Sequence, residues 1–353
     1  MTDHLHMEAE FLELRTRHPF IIARGNQSDN RTVWVRLRDA EGHEGWGEAA
    51  PSRYYGETPE TVMQALDAYA VAMPSDPLDV EETERRWELA LHGNPSARAA
   101  LSAALHDLVG KRLGVPVYRL WGLDPARAPR STFTIGLDTP DRLRLKVREA
   151  EPYPILKIKV GTDRDLEVLQ TIRDVTDKEI RVDANGGWTL KQAIAMLPVL
   201  KEFGVTALEQ PLPPTELRGL AEITRRAEIP VIADESCLVA SDIPPLVGCV
   251  DGINIKLAKC GSLREALRMI AVARAHGMMV MVGCMIESSI CITAAAHFTP
   301  LVDLVDLDGA ALLAEDPFVG ATIDGGQVRL PACLLYTSPS PRDLSTSRMP
   351  SSA

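Results

Sequence analysis

From about residue 130 the chain repeats one pattern: a short apolar run, a loop and a segment with helical periodicity. The apolar runs are STFTIG, ILKIKV, IRVDAN, VTALEQ, IPVIADE, GINIKLA, MMVMVG and LVDLVDLD. Charged residues near the ends of successive runs recur at intervals of about 25 residues, which is the length of one strand and one helix. Eight such units close into a ring, so the sequence predicts the α/β class with a modified TIM-type (β/α)8-like barrel.

A different organisation precedes the repeat. TVWVRLRD and WGEAAP read as an antiparallel hairpin with Gly42 in the turn, and three helical segments follow, ETPETVMQALDAYAVAM, DVEETERRWELALH and PSARAALSAALHDLVGKRLG. We therefore expect an α+β capping domain over residues 1–128, joined by about 315–332, and a barrel domain over 129–314. Residues 333–353 are Ser/Pro-rich without core periodicity and are predicted to be a disordered, non-native tail.

The overall charge narrows the class of partner. Lys and Arg number 38 against 49 Asp and Glu, a net charge of -11, which disfavours nucleic acid and anionic membranes. No run approaches the roughly 20 apolar residues of a membrane helix, and the N-terminus has no signal-peptide pattern. The 6 cysteines show no CxxC spacing and are expected to be free thiols. The sequence predicts a cytoplasmic protein that binds a small molecule, with a homo-oligomer left open.

Three carboxylates lie near the ends of consecutive predicted strands. They are Asp183 in RVDANGGW, Glu209 in LEQPL and Asp234 in IADES. Strand ends meet at one mouth of a barrel, where three unpaired anions would repel one another, and a divalent cation removes that conflict. All-oxygen ligands favour Mg²⁺, with Mn²⁺ as the alternative. A single strand-end Asp would equally well cap the following helix, but three in register favour a metal site.

Three lysines are predicted to face the same mouth. Lys157 and Lys159 share one face of strand 2 because side chains alternate, and Lys256 lies on strand 6, on the far side of an eight-membered ring. Two neighbouring ammonium groups beside a divalent cation favour a general base. The alternative is a pair of lysines guarding an exposed strand edge, but a closed barrel has no such edge.

The motifs KIK, DAN, EQP, ADES and NIKLAKCG, together with the capped barrel, resemble the enolase superfamily in its muconate-lactonizing-enzyme subgroup. The resemblance covers nearly all of residues 10–330. It implies Mg²⁺ ligands at the three carboxylates, acid/base roles for Lys159 and Lys256, and an electrostatic role for Lys157. The chemistry that it implies is removal of a proton α to a carboxylate through a metal-stabilised enediolate.

Residues of predicted strand 8 narrow the set of reactions that the protein could catalyse. LVDLVDLDGA places Asp306 and Asp308 on one face, and two carboxylates suit a substrate ammonium group. A D-x-D at this strand is similar to the dipeptide epimerases, and the pattern is closest to those that act on L-Ala-D/L-Glu by 1,1-proton transfer. N-acylamino acid racemisation, o-succinylbenzoate synthesis, muconate cycloisomerisation and a catalytically silent barrel remain alternatives, as does a turn-forming role for the pair before Gly309.

The resemblance also implies further substrate contacts. PFIIARGNQS is similar to a mobile cap loop, where Arg24 would bind the distal carboxylate of a Glu side chain, although a surface Arg without a role is an alternative. RYYGET is similar to a second cap loop. Thr134 and Met285, at the ends of strands 1 and 7, complete the expected substrate contacts.

Overall fold

The computed structural model describes residues 5–26, 29–74 and 76–331 of the chain. The predicted tail, 333–353, lies outside the described residues. Among those residues no helix has the length and apolar character to cross a bilayer.

The first part of the chain forms a three-stranded antiparallel sheet, a separate two-stranded hairpin and four helices. The strands are β1 His6–Arg15, β2 Ile21–Ile22, β3 Gly25–Asn26, β4 Asp29–Arg38 and β5 Glu44–Ala49, and the helices are α1 Pro59–Ala70, α2 Val80–Ala90, α3 Pro95–Leu113 and α4 Val117–Leu120. The sheet order is β1-β4-β5, and β2 pairs with β3. The predicted β4–β5 hairpin and its turn at Gly42 (φ +89°) are confirmed. The sequence analysis did not anticipate β1, which pairs with β4 along its length.

Helix α3 packs directly on β5. A Cβ added to Gly45 would lie 1.9 Å from the carbonyl oxygen of Ala104, and one added to Gly47 would lie 2.0 Å from that of Ala100. Glycine in the strand therefore allows backbone contact between strand and helix. This contact fixes the position of β5, which carries the buried residue Glu48.

The second part of the chain is the predicted barrel. Its strands are β6 Phe133–Ile135, β7 Ile155–Lys159, β8 Glu179–Asp183, β9 Val205–Glu209, β10 Val231–Ala233, β11 Gly252–Ile255, β12 Met279–Gly283 and β13 Leu304–Asp306. They form one eight-stranded sheet in sequence order, and every pairing within it is parallel. A hydrogen bond of 3.0 Å from Thr132 N to Val305 O joins the last strand to the segment before the first. The ring is thereby closed and the (β/α)8-like prediction is confirmed.

The barrel helices alternate with these strands. They are α5 Pro140–Glu149, α6 Asp165–Arg173, α7 Leu190–Glu202, α8 Leu217–Arg226, α9 Ile243–Leu246, α10 Leu257–Cys260, α11 Leu263–Ala275 and α12 Ser289–Ala296. The barrel is modified at its last unit, where β13 is followed only by a short 3-10 turn. The chain then crosses to the cap, and Ala314 N donates to Arg15 O at 2.8 Å.

A final hairpin, β14 Thr322–Asp324 and β15 Gln327–Arg329, lies at the start of the barrel. Ser131 N donates to Gly326 O at 2.7 Å, so the hairpin contacts the segment that leads into β6. Phe318, just before the hairpin, contacts Trp46 of the cap. The domain boundaries expected from the sequence stay predictions.

Candidate active site

A cavity of about 680 Å³ lies between the cap and the mouth of the barrel. Arg24 and the short 3-10 helix Arg53–Tyr55 line it from the cap. The sequence-predicted residues that line it from the barrel are Thr134, Lys157, Lys159, Asp234, Lys256, Met285, Asp306 and Asp308. Asp183 and Glu209 are buried and lie outside the lining of this cavity. One cavity thus brings together residues from both parts of the chain.

The three predicted metal ligands form a single cluster. Asp183 and Glu209 are the last residues of β8 and β9, and Asp234 directly follows β10. One carboxylate oxygen of each lies within 4.8 Å of the other two, and all three residues are buried. An all-oxygen donor set at this spacing fits a hard divalent cation such as Mg²⁺.

Two lysines approach this cluster from opposite sides. Lys159 Nζ lies 2.6 Å from Asp183 Oδ2, and Lys256 Nζ lies 2.7 Å from Asp234 Oδ2. Their strands, β7 and β11, are four places apart in the eight-stranded ring and therefore face each other across it. A molecule bound between them exposes opposite faces to the two amines.

Lys157 sits deeper than the other two lysines. Its Nζ lies 2.7 Å from Glu209 Oε2, 2.7 Å from Asp306 Oδ2 and 3.3 Å from Asp183 Oδ2. Burial alone would lower the pKa of Lys157, but Asp306, Glu209 and Asp183 outweigh burial and hold the pKa well above its ordinary value. Lys157 is therefore a buried positive charge held in place by three carboxylates.

The buried lysines and carboxylates also give the three proposed metal ligands different pKa values. Burial opposes ionisation of Asp183, yet Lys159 and Lys157 lower its pKa to about 2. Lys256 holds the pKa of Asp234 well below its usual range against the same effect of burial. Burial and the neighbouring Asp183 raise the pKa of Glu209 to about 7. In turn, Asp234 outweighs burial and raises the pKa of Lys256.

Four residues that the sequence analysis missed hold the cluster in place. Lys259 Nζ, with a fully buried side chain, contacts Asp234 Oδ1 at 2.5 Å. Asn254 Nδ2 donates to Glu209 Oε1 at 2.8 Å, and Gln210 Oε1 accepts from Asp234 N at 2.9 Å. Asn185 N donates to Asp183 Oδ1 at 2.8 Å. The available signal was the motif NIKLAK, because lysines three apart meet across one helical turn.

Unpaired oxygens beside the cluster support the metal interpretation. Oδ1 of Asn185 and Oδ1 of Asn254 are buried and have no hydrogen-bond partner within the described chain. Buried acceptors are rarely left unsatisfied unless water or an ion completes them. Asn185 also adopts a left-handed backbone (φ +46°), a conformation that costs energy and is common at binding sites.

The two strand-8 carboxylates differ in their surroundings. Asp306 ends β13, where it pairs with Lys157 and accepts a hydrogen bond from Thr132 Oγ1. Asp308 lies two residues beyond the strand and accepts from Thr134 N at 2.5 Å. Burial and Asp306 raise the pKa of Asp308 to about 7, whereas that of Asp306 is lowered, since Lys157 outweighs burial. Asp306 is neutralised within the protein, and Asp308 has no ion-pair partner among the described residues.

Arg24 lines the cavity but already contacts Glu235, Asn185 and Tyr54. Its Nη1 donates to Glu235 Oε1 at 2.5 Å and to Asn185 O at 2.7 Å, and its guanidinium carbon lies 4.2 Å from the centroid of the Tyr54 ring. Glu235 has a raised pKa, because burial and the neighbouring Asp234 outweigh the effect of Arg24. Thr134 and Met285 both line the cavity, as expected.

A capped (β/α)8-like barrel with three carboxylates and three lysines at its mouth is the arrangement expected of the enolase superfamily. Comparison with known families leads to the same superfamily. Residues 7–122 match the mandelate racemase/muconate lactonizing enzyme N-terminal domain, and residues 142–332 match the enolase C-terminal domain-like family. The chain belongs to the enolase superfamily, and the resemblance deduced from its motifs is confirmed.

Individual relatives narrow the comparison. The chain is 45% identical to L-Ala-D/L-Glu epimerase of Bacteroides thetaiotaomicron over 320 residues, 90% of this chain and 83% of that protein. It is 40% identical to L-Ala-D/L-amino acid epimerase of Maribacter sp., over 90% of this chain and 94% of that protein. The crystal structure of a dipeptide epimerase from Cytophaga hutchinsonii, in complex with Mg and D-Ala-L-Val, superposes with a TM-score of 0.91 at 27% identity and covers 98% of both chains.

Proposed function

We propose that this protein is a Mg²⁺-dependent dipeptide epimerase of the L-Ala-D/L-Glu type. The observation that carries the proposal is the pair of lysines on opposite strands, each within 2.7 Å of a metal-site carboxylate and both lining one cavity. An α-carbon held between them can lose its proton to one amine and regain it on the opposite face from the other. Curated epimerases of dipeptides at 45% and 40% identity support the same reaction.

The proposed metal ligands are Asp183, Glu209 and Asp234. When bound, Mg²⁺ supplies the positive charge that stabilises the enediolate form of the substrate carboxylate. The buried ammonium of Lys157 adds fixed positive charge on the same side. Lys259 contacts Asp234 and Asn254 donates to Glu209, and both contacts orient these carboxylates for the metal.

Proton transfer in the proposed mechanism uses two bases. In one direction Lys159 removes the α-proton of the C-terminal residue, and Lys256 delivers a proton to the opposite face. In the reverse direction the two lysines exchange roles. The α-carbon would lie in the cavity between the two lysines, so the second lysine is positioned to return a proton to it.

The substrate's free amino group is assigned to Asp308. Asp306 is already paired with Lys157 at 2.7 Å, whereas Asp308 accepts a hydrogen bond from Thr134 N and has no ion-pair partner among the described residues. A substrate ammonium would supply the missing positive charge. The sequence-level prediction that both carboxylates bind the ammonium is thereby refined to a division of roles.

The alternative reactions of the superfamily use substrates without a free ammonium group. N-acylamino acid racemisation, o-succinylbenzoate synthesis and muconate cycloisomerisation would leave Asp308 buried without a cation. Burying an ionised carboxylate without a partner costs free energy of folding. The substrates of these reactions would not supply that partner. The dipeptide reaction accounts for it.

Substitution of Asp308 by Asn tests the substrate assignment. The change removes charge but keeps size, and a charge-assisted hydrogen bond contributes about 1.5–3 kcal/mol. We expect kcat/KM on L-Ala-L-Glu to fall about 10- to 100-fold, since each 1.4 kcal/mol is about tenfold. Turnover of N-acetyl-L-Ala-L-Glu, already poor, should stay level or improve. Equal losses on both substrates would favour the racemase and synthase reactions.

We also propose a cytoplasmic location. Its support is that Cys237, Cys249, Cys260, Cys284 and Cys291 are all free thiols, as in a reducing compartment. A homo-oligomer and the lack of nucleic-acid binding rest on the sequence alone and stay predictions.

A further inference from the structure

Glu235 is a buried carboxylate that the proposed reaction leaves without a role. It directly follows Asp234, and its side chain is 1% exposed. Its Oε1 accepts from Arg24 Nη1 at 2.5 Å and from Asn185 Nδ2 at 3.3 Å. Its Oε2 is buried and has no hydrogen-bond partner in the described part of the chain. Among the described residues, Arg24 is its ion-pair partner.

Arg24 is held in position from three directions. Glu235 and the carbonyl oxygen of Asn185 both accept from Nη1, and the Tyr54 ring stacks on the guanidinium. The side chain remains 31% exposed and lines the cavity. Arg24 therefore meets a bound molecule as half of an ion pair and not as an isolated cation.

We propose that Glu235 is a specificity-determining residue that offsets the charge of Arg24 and so permits neutral as well as acidic side chains at the C-terminal residue of the dipeptide. The inference rests on the proposed function, since it concerns the side chain of that substrate. An incoming carboxylate gains its attraction to Arg24 but is repelled by Glu235 close by. A neutral amide gains a hydrogen bond from Arg24 and meets no such repulsion.

Substitution of Glu235 by Gln isolates this charge. Glutamine keeps the acceptor for Arg24 Nη1, so the position of the arginine is preserved. L-Ala-L-Glu and L-Ala-L-Gln have the same shape and differ in charge. The ratio of kcat/KM for the acid over the amide should rise about tenfold in E235Q, which corresponds to about 1.4 kcal/mol. In R24Q the ratio should fall below that of the wild type.

The matched control is Glu84→Gln, which changes a buried Glu of helix α2 in the cap. Glu84 accepts a hydrogen bond from Ser102 and lies outside the cavity lining, so the ratio should equal that of the wild type. A ratio in E235Q that stays at the wild-type value, or falls, would overturn the inference.

Binding separates this inference from the proposed function. Isothermal titration calorimetry on Mg²⁺-loaded protein gives the Kd of each dipeptide whether or not turnover occurs. If the wild type binds both dipeptides but epimerises neither, the proposed function fails, while the Kd ratio in E235Q still decides the role of Glu235. A protein that binds neither dipeptide would overturn both.

Discussion

At the scale of single residues, the site is a set of lysine–carboxylate contacts around one metal position. Lys159 and Lys256 each contact a different proposed ligand, Asp183 and Asp234, while Lys157 contacts Glu209 and Asp306. A cation bound by the carboxylates competes with the lysines for the same negative charge. We therefore expect the proposed proton transfer by Lys159 and Lys256 to depend on the metal.

Substitution of Lys159 or Lys256 by Ala tests the two-base mechanism. Each change removes a general acid/base, which contributes about 10²–10⁴-fold, so epimerisation should fall by about that factor or more. The remaining lysine should still exchange the α-proton of one stereoisomer with solvent. Proton NMR and chiral chromatography measure the two processes. Lys201→Ala, at an exposed ion pair with Glu228, is the control, and epimerisation at the parent rate in both site variants would contradict the mechanism.

Residue types at strand ends were predictable, but their supporting contacts were not. Asp183, Glu209 and Asp234 follow apolar runs at regular spacing, which is visible in the sequence. Lys259 and Asn254 lie within the motif NIKLAK, but the motif does not show which carboxylates they contact. Their roles depend on which carboxylate lies above them, and only the closed barrel determines that.

At the scale of elements, the sequence analysis predicted the strands that coincide with apolar runs. It missed the strands that have no clear apolar pattern. The eight barrel strands coincide with the predicted runs, because burial on both faces demands continuous apolar sequence. β1 is rich in glutamate and gains its stability from pairing with β4. β14 and β15 have only three residues each, and their pairing depends on contacts with the barrel. Tertiary contacts decide such elements.

The contact between β5 and α3 predicts how the cap responds to overpacking. In Gly47→Ala the added Cβ would meet Ala100 O at 2.0 Å, so strand and helix must separate. Overpacking of this kind costs about 1–3 kcal/mol. Thermal unfolding should therefore show a lower melting temperature. Gly42→Asn is the control for a glycine replacement without crowding, because a Cβ there meets nothing within 4 Å and any loss reports the positive φ alone. Equal melting temperatures for wild type and G47A would contradict the packing account.

At the scale of the whole molecule, the cap is joined to the barrel by a buried carboxylate. Glu48 of β5 accepts hydrogen bonds from Ser288 N, at the start of α12, at 3.0 Å and 3.2 Å. The segment before that helix carries Met285, which lines the cavity. The position of the cap and one wall of the cavity are thus linked through Glu48.

Because Glu48 is buried at the contact between cap and barrel, the free energy of unfolding should depend on pH. Burial is the main cause that raises the pKa of Glu48 from 4.5 to about 7. Because the folded state binds this proton more tightly than the unfolded state does, the stability from Glu48 is complete below pH 4.5 and is lost as pH rises to about 7. The stability of Glu48→Gln relative to wild type should therefore rise by about 2–3 kcal/mol between pH 5 and pH 8. Urea unfolding at both pH values measures the difference, and a pH-independent difference would contradict the account.

The central claim is metal-dependent proton transfer at the α-carbon of the C-terminal residue of a dipeptide. The most direct measurement is proton NMR and mass spectrometry of L-Ala-L-Glu incubated with the protein in D₂O, with Mg²⁺ and after chelation. With Mg²⁺ the substrate should gain one deuterium at the Glu α-carbon and become a mixture of L-Ala-L-Glu and L-Ala-D-Glu. After chelation neither change should occur. Equal exchange with and without the metal, or deuterium at any other carbon, would contradict the claim.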